Sequence, residues 1–140
     1  MRPPSALRGA NVMNELIPAL VVEDHPLILL TIEEALAESG FAVTTATSGE
    51  EAMAILEAQS RQFSALVTDV NLSGNLTGWD LARRAREINA DTAIIYITGT
   101  DEEHWVSNGV PRSLLIRKPF ATAQITTGIA QLLNAAGSLN

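Results

Sequence analysis

Residues 65–82 read ALVTDVNLSGNLTGWDLA. The stretch falls into three parts. ALVTD (65–69) is a short apolar run that ends abruptly in a carboxylate, the pattern of a buried strand with a polar end. A polar segment with Ser73 and Gly74 follows. Thr77 and Asp80 then stand three residues apart, an N-cap pattern, ahead of a helical stripe at Leu81, Ala82, Ala85 and Ile88. Strand, polar turn and helix therefore follow one another within about two dozen residues. The question is whether the rest of the chain repeats that unit.

It does, in both directions. Upstream, IPALVV (17–22) reads as a strand and PLILLTIEEALAES (26–39) as a helix that stops at Gly40. FAVTTA (41–46) is a strand. Ser48 and Glu51 form a second capping pattern, before a helix ending near Gln59. Downstream, AIIYIT (93–98) is the strongest strand. DEEHWVS (101–107) makes at most a short helix, and SLLIR (113–117) is the last strand. Ile125, Ile129, Leu132 and Leu133 mark the final helix. Five strands alternate with five helices, and the strands are apolar almost throughout. This is the signature of an α/β, doubly wound, five-stranded parallel sheet flanked by helices on both faces. There is no internal repeat or low-complexity linker.

Bulk composition agrees with one globular domain. The chain has 140 residues, 46% hydrophobic and 18% charged. A net charge of −7 without a basic run argues against nucleic acid and anionic membrane as partners. Its apolar stretches are too short for a membrane span. No cysteine is present, which excludes disulfides and thiolate metal sites and fits a cytoplasmic location. Residues 1–15 lack periodicity and read as a disordered leader, a cloning remnant or an upstream start before Met13. The domain is expected over 16–136, with a tail at 137–140.

In a parallel α/β sheet, ligands bind beyond the carboxyl ends of the strands. The residues at those ends are Glu23 and Asp24 after the first strand, Asp69 in the third, Thr98 in the fourth and Lys118 after the fifth. Each has an ordinary reading. Asp24 is a plausible N-cap with Pro26 in the first helical turn, Asp69 and Thr98–Gly99 fit turns, and Lys118–Pro119 fits a strand exit. Together they describe a site with three carboxylates, one hydroxyl and one ammonium. Clustered carboxylates repel unless a cation joins them, and hard oxygen donors suit Mg²⁺. Asp24 and Asp69 are candidates for direct ligands, with Glu23 acting through water. The histidines lack ligand spacing, so zinc does not fit. A carboxylate beside such a cation can attack phosphorus to give an aspartyl-phosphate, which Mg²⁺, Lys118 and the Thr98 hydroxyl would stabilise. Lys118 is the sole lysine among nine basic residues. Either the composition favours arginine, or this position needs a compact point charge.

With VVEDHP, LVTDVNLSGNLTGWDLA, IIYITG and LLIRKPF in this order, the sequence resembles the receiver domain of two-component response regulators over roughly residues 17–135. The resemblance implies the flavodoxin-like receiver topology. It also implies that Asp69 is the phosphoacceptor and that Glu23 and Asp24 bind Mg²⁺ with the backbone carbonyl of Asn71. Thr98 would be the switch hydroxyl, and Lys118 would contact the phosphoryl group and precede a cis-proline. The phosphoryl donor would be a sensor histidine kinase or histidine phosphotransfer protein, and the recipient of the signal an unknown downstream protein. The chain would be a stand-alone receiver or an excised fragment of one, a phosphoacceptor with limited autophosphorylation and autodephosphorylation rather than an enzyme. Three departures stand out. Ser73 and Gly74 occupy the stretch where most receivers have a proline, in a loop one residue longer than usual. Leu115 replaces the aromatic switch residue. YITGT resembles the subgroup named for an F-A-T-G-type sequence, which lacks that aromatic. Output is then expected through a conformational change around residues 98–118. Two other functions compete. A Mg²⁺-dependent phosphohydrolase of the haloacid dehalogenase type would want an aspartate where Asn71 stands. A phosphorylation-independent interaction module would have no use for a complete set of site residues.

Overall fold

The computed structural model describes residues 16–58, 63–99, 105 and 107–138. The leader expected over 1–15 lies outside them. Five strands, β1 (Ile17–Val22), β2 (Phe41–Ala46), β3 (Ala65–Asp69), β4 (Ala93–Thr98) and β5 (Ser113–Arg117), form one sheet in the order β2-β1-β3-β4-β5. Every neighbouring pair is parallel. Among the described residues, the helices α1 (Pro26–Glu38), α2 (Gly49–Ala58), α3 (Gly78–Ile88) and α4 (Thr122–Ser138) flank the sheet. Of the short helix expected over 101–107, Trp105 and Ser107 are described, and both are helical, as is Asn108. No helix among the described residues is long and apolar enough to cross a membrane.

The apolar strands follow from double coverage. Alternate side chains leave opposite faces of a strand. Leu20, Val22, Leu66, Ile94 and Tyr96 point to one face and pack against Ala52 and Leu56 of α2 and Leu81, Ala82 and Ala85 of α3. Ala19, Val21, Ala65, Val67, Ile95 and Ile97 point to the other, against Ile32 and Leu36 of α1 and Ile125 and Ile129 of α4. Deleting one such buried side chain, as in Ile95→Ala, costs about 2–5 kcal/mol through lost transfer energy and the cavity left behind.

Helix starts follow local chemistry. Pro26 occupies the first turn of α1, and the N-cap is His25, which makes no side-chain cap bond. This overturns the cap reading of Asp24. Ser48 Oγ accepts the Glu51 N–H of α2 at 3.1 Å. The Glu51 carboxylate in turn accepts the N–H of Thr47 at 2.8 Å, one residue earlier than in a standard capping box. Thr77 and Asp80 form the full reciprocal box at the start of α3. These caps fix the directions in which the chain leaves the strand ends, so they also fix the walls of the crevice above the sheet.

Candidate functional site

Strand register assembles the site. Val22 of β1 pairs with Thr68 of β3, so Glu23 lies level with Asp69. Asp69 pairs with Ile97 of β4, and Thr98 with Arg117 of β5, so Thr98 and Lys118 complete the same edge. From β1 the chain crosses first to β2 on one side and later to β3 on the other, so the gap between β1 and β3 is the switch point where ligands bind in such sheets. Glu23 and Asp69 flank that gap.

The two buried carboxylates share one ammonium. Lys118 Nζ donates to Asp69 Oδ2 at 2.8 Å and lies 3.1 Å from Glu23 Oε1. Glu23 is 1% exposed and Asp69 6%. The other oxygens are held by backbone. Asp69 Oδ1 accepts the Asn71 N–H at 3.0 Å, and Glu23 Oε2 accepts the His25 N–H at 3.0 Å. Glu23 Oε1 has the ammonium nearby but no aligned hydrogen bond, although it is fully buried. Asp24, at the rim, is exposed.

The electrostatics follow from this crowding. Burial pushes the Glu23 carboxyl above its ordinary value, and the charge of Asp69 adds to the rise, against the His25 N–H and Lys118, which lower it. Burial alone would lower the Lys118 ammonium. The hydrogen bond and charge of Asp69, followed by those of Glu23, outweigh burial and hold it raised. One lysine thus faces two carboxylates, with a third at the rim. Glu23, Asp24 and Asp69 can each offer an oxygen within 4.8 Å of the others. An oxygen-only donor set, an excess of negative charge and a buried carboxylate oxygen without a hydrogen bond fit a hard divalent cation such as Mg²⁺.

Glu23, Asp24, Asp69 and Lys118 are therefore brought together as the sequence suggested. Asn71 reaches the cluster through its backbone amide. Thr98 is buried at the end of β4, and its carbonyl accepts the Lys118 N–H at 2.8 Å. The Lys118–Pro119 peptide bond is cis. His25 borders the site through its amide, which donates to Glu23. Trp79 is a packing residue, with its ring 4.5 Å from that of Tyr96. Sequence reasoning missed Gly78. A Cβ there would meet the carbonyl oxygen of Asp69, and the Gly78 N–H donates to Val70 at 3.0 Å. The available signal was a glycine directly after a helix cap, with no side chain to separate α3 from the end of β3.

Known proteins share this fold and sequence pattern. The family model of the response regulator receiver domain matches residues 19–130. The chain belongs to that family. Receiver domains are components of two-component systems, and this one superimposes on a response regulator receiver protein from Sinorhizobium medicae WSM419 with a TM-score of 0.84 and 39% identity, covering 88% of this chain and 98% of that one. It also matches the response regulator TrrA from Thermotoga maritima, solved in complex with Mg²⁺ and BeF, with a TM-score of 0.68 and 26% identity over 84% of this chain and 99% of that one. Among curated relatives, the sensor protein EvgS of Escherichia coli K12 is 29% identical over 120 residues, 84% of this chain and 10% of EvgS. The receiver spans between 10% and 49% of the length of the first curated relatives it matches.

Proposed function

We propose that this receiver accepts a phosphoryl group on Asp69 from the phosphohistidine of a sensor kinase or histidine phosphotransfer protein. The observation that carries the reading is Lys118 Nζ, 2.8 Å from Asp69 Oδ2, with the buried Glu23 on its other side. A carboxylate oxygen of Asp69 attacks phosphorus. The P–O bond forms as the P–N bond to the donor imidazole breaks, and the imidazole nitrogen leaves with the electron pair and takes a proton. Lys118 neutralises charge on the incoming oxygens, and the Thr98 hydroxyl donates to one of them once the group is in place. Glu23, Asp24, Asp69 and the Asn71 carbonyl would hold Mg²⁺. When bound, that ion supplies the positive charge that lets an anionic donor approach an anionic nucleophile. TrrA, a relative of the same family, is solved with Mg²⁺ and BeF, which supports this assignment.

The chain acts on this reading as a cytoplasmic signalling phosphoacceptor and not as a turnover enzyme. Asn71, at the position where a phosphohydrolase of this chemistry needs a general acid, has no carboxyl proton to give. Output passes through residues 98–118. Leu115 is half-buried against the core face that carries Tyr96, and it has no ring to rotate, which supports membership of the subgroup without the aromatic switch.

The test is incubation of the intact chain with Mg²⁺ and a small phosphodonor, read by intact mass. Wild type should gain one phosphoryl group in a Mg²⁺-dependent manner. An adduct that persists in Asp69→Asn would overturn the assignment of the acceptor. Release of phosphate from generic phosphomonoesters over many turnovers would favour the hydrolase reading.

A further inference from the structure

The loop between β3 and α3, residues 70–77, follows the acceptor and carries Asn71. It is the segment where most receivers have a proline and where this chain has Ser73 and Gly74. Its two ends are fixed by the elements that flank it. At the near end, the Asn71 N–H is bound to Asp69. At the far end, Thr77 and Asp80 form the capping box. The middle is held from another helix. Glu50, in the first turn of α2, accepts the Asn75 N–H with Oε2 at 2.8 Å, across 25 residues of sequence.

Contact between helix and loop is close on both sides of that bond. Gly74 has φ 95°, in the left-handed region. A Cβ at Gly74 would meet Glu50 Oε1, with Glu50 Cδ at 2.9 Å. A Cβ at Gly49 would meet the Leu76 Cβ and carbonyl oxygen at 2.8 Å. Two glycines thus allow α2 and the loop to approach until a carboxylate caps the loop backbone. The Asn75 N–H, followed by the N–H groups of Glu50 and Leu76, holds the Glu50 carboxyl below its ordinary value, so it is ionised at neutral pH.

We infer that Glu50 is a positioning residue for the phosphoacceptor site. Its carboxylate fixes the Gly74–Asn75 backbone from α2 and so sets where the same loop presents Asn71 to Asp69 and to the cation. The inference rests on the phosphoacceptor reading for its consequence, although the geometry is independent of it.

The experiment compares wild type with Glu50→Ala, Glu50→Gln and Glu50→Asp, all as the full chain. Mg²⁺ affinity is read by calorimetry with the metal alone, phosphorylation rate by intact mass with a small phosphodonor, and the Asn71 and Asn75 amide signals by NMR. Glutamine keeps an acceptor oxygen at the same reach and should stay close to wild type in all three. Alanine removes the acceptor, and aspartate keeps the charge at the helix start but falls one methylene short. Both should bind Mg²⁺ about tenfold more weakly, the lower end for a residue that acts through its neighbours. Both should also be phosphorylated more slowly and shift the two amide signals. The aspartate variant serves if alanine fails to fold. Wild-type Mg²⁺ affinity and wild-type amide shifts in Glu50→Asp would overturn the inference, as would Glu50→Gln behaving like Glu50→Ala. A lowered melting temperature with unchanged Mg²⁺ affinity would also overturn it, leaving Glu50 as a structural clamp only. If wild type binds Mg²⁺ but takes no phosphoryl group, the functional reading fails, while the Mg²⁺ and amide comparisons still decide the part played by Glu50.

Discussion

Gly78 stands directly behind Asp69: a Cβ at 78 would meet the Asp69 carbonyl oxygen, with the Val70 Cα at 3.0 Å. The first residue of α3 and the last residue of β3 are thus in backbone contact. A side chain at 78 must push on Asp69, the proposed phosphoacceptor. Gly78→Ala should destabilise the domain by about 1–3 kcal/mol, the usual cost of overpacking a closed site. It should also reduce phosphorylation of the folded fraction. Denaturant unfolding with a parallel phosphorylation assay checks both, and a fully stable Gly78→Ala would mean that the helix can retreat without cost.

On the proposed reading Mg²⁺ binds only where Glu23, Asp24 and Asp69 are assembled, so it should stabilise the domain. A ligand at a hundredfold excess over its Kd adds about 2.7 kcal/mol if it binds the native state alone. The melting temperature should therefore rise with millimolar Mg²⁺, and rise far less in Asp24→Ala. Equal shifts in the two proteins would contradict this use of Asp24.

The metal-free protein should respond to pH through Glu23. Its folded-state value is raised above 4.5, chiefly by burial. A raised value means that the protonated form is favoured by folding, so its stabilising contribution is complete below 4.5 and is lost as pH rises through the raised value. Stability without metal should fall across that window, and Glu23→Gln should flatten the fall. Lys118 is also raised, so the contribution of its charge is lost only as pH climbs above 10.5, outside that window. Thermal melts of both proteins in chelator between pH 4 and pH 8 provide the check. A slope unchanged in Glu23→Gln would assign the effect elsewhere.

Lys118→Arg keeps the charge but replaces a compact ammonium with a planar fork. The space between Asp69 Oδ2 and Glu23 Oε1, at 2.8 and 3.1 Å from one nitrogen, suits a point donor. Mg²⁺ binding should survive, while the spectral change on adding beryllofluoride should be largely lost. Wild-type changes in this variant would reduce the lone lysine to a matter of composition.

Tyr96 links β4 to the segment ahead of β5, since its hydroxyl accepts the Val110 N–H at 3.1 Å. The hydroxyl is pushed above its ordinary value, chiefly by burial. Tyr96→Phe leaves that amide without its partner and should cost about 1–3 kcal/mol. Amide exchange should show faster opening at Val110, with α1 and β1 unaffected. Uniformly faster exchange would instead indicate a general loss of packing against Trp79.

The sequence by itself determined the elements, the faces and the candidate site residues. Uninterrupted apolar runs marked the strands because a doubly covered sheet buries both faces. Pro26, Ser48 and Thr77–Asp80 marked three helix starts because capping is settled within four residues of chain. Glu23, Asp69, Thr98 and Lys118 stood out because each is polar at the end of an apolar run. Tertiary structure alone decided the strand order and the register, since alternation of strand and helix is compatible with more than one order. Register then placed Lys118 between Asp69 and Glu23, 49 residues from the former. Tertiary packing also decided that the Glu50 carboxylate reaches the Asn75 amide. Caps and strand runs are local, whereas the approach of α2 to the acceptor loop exists only after both have packed on the same face of the sheet.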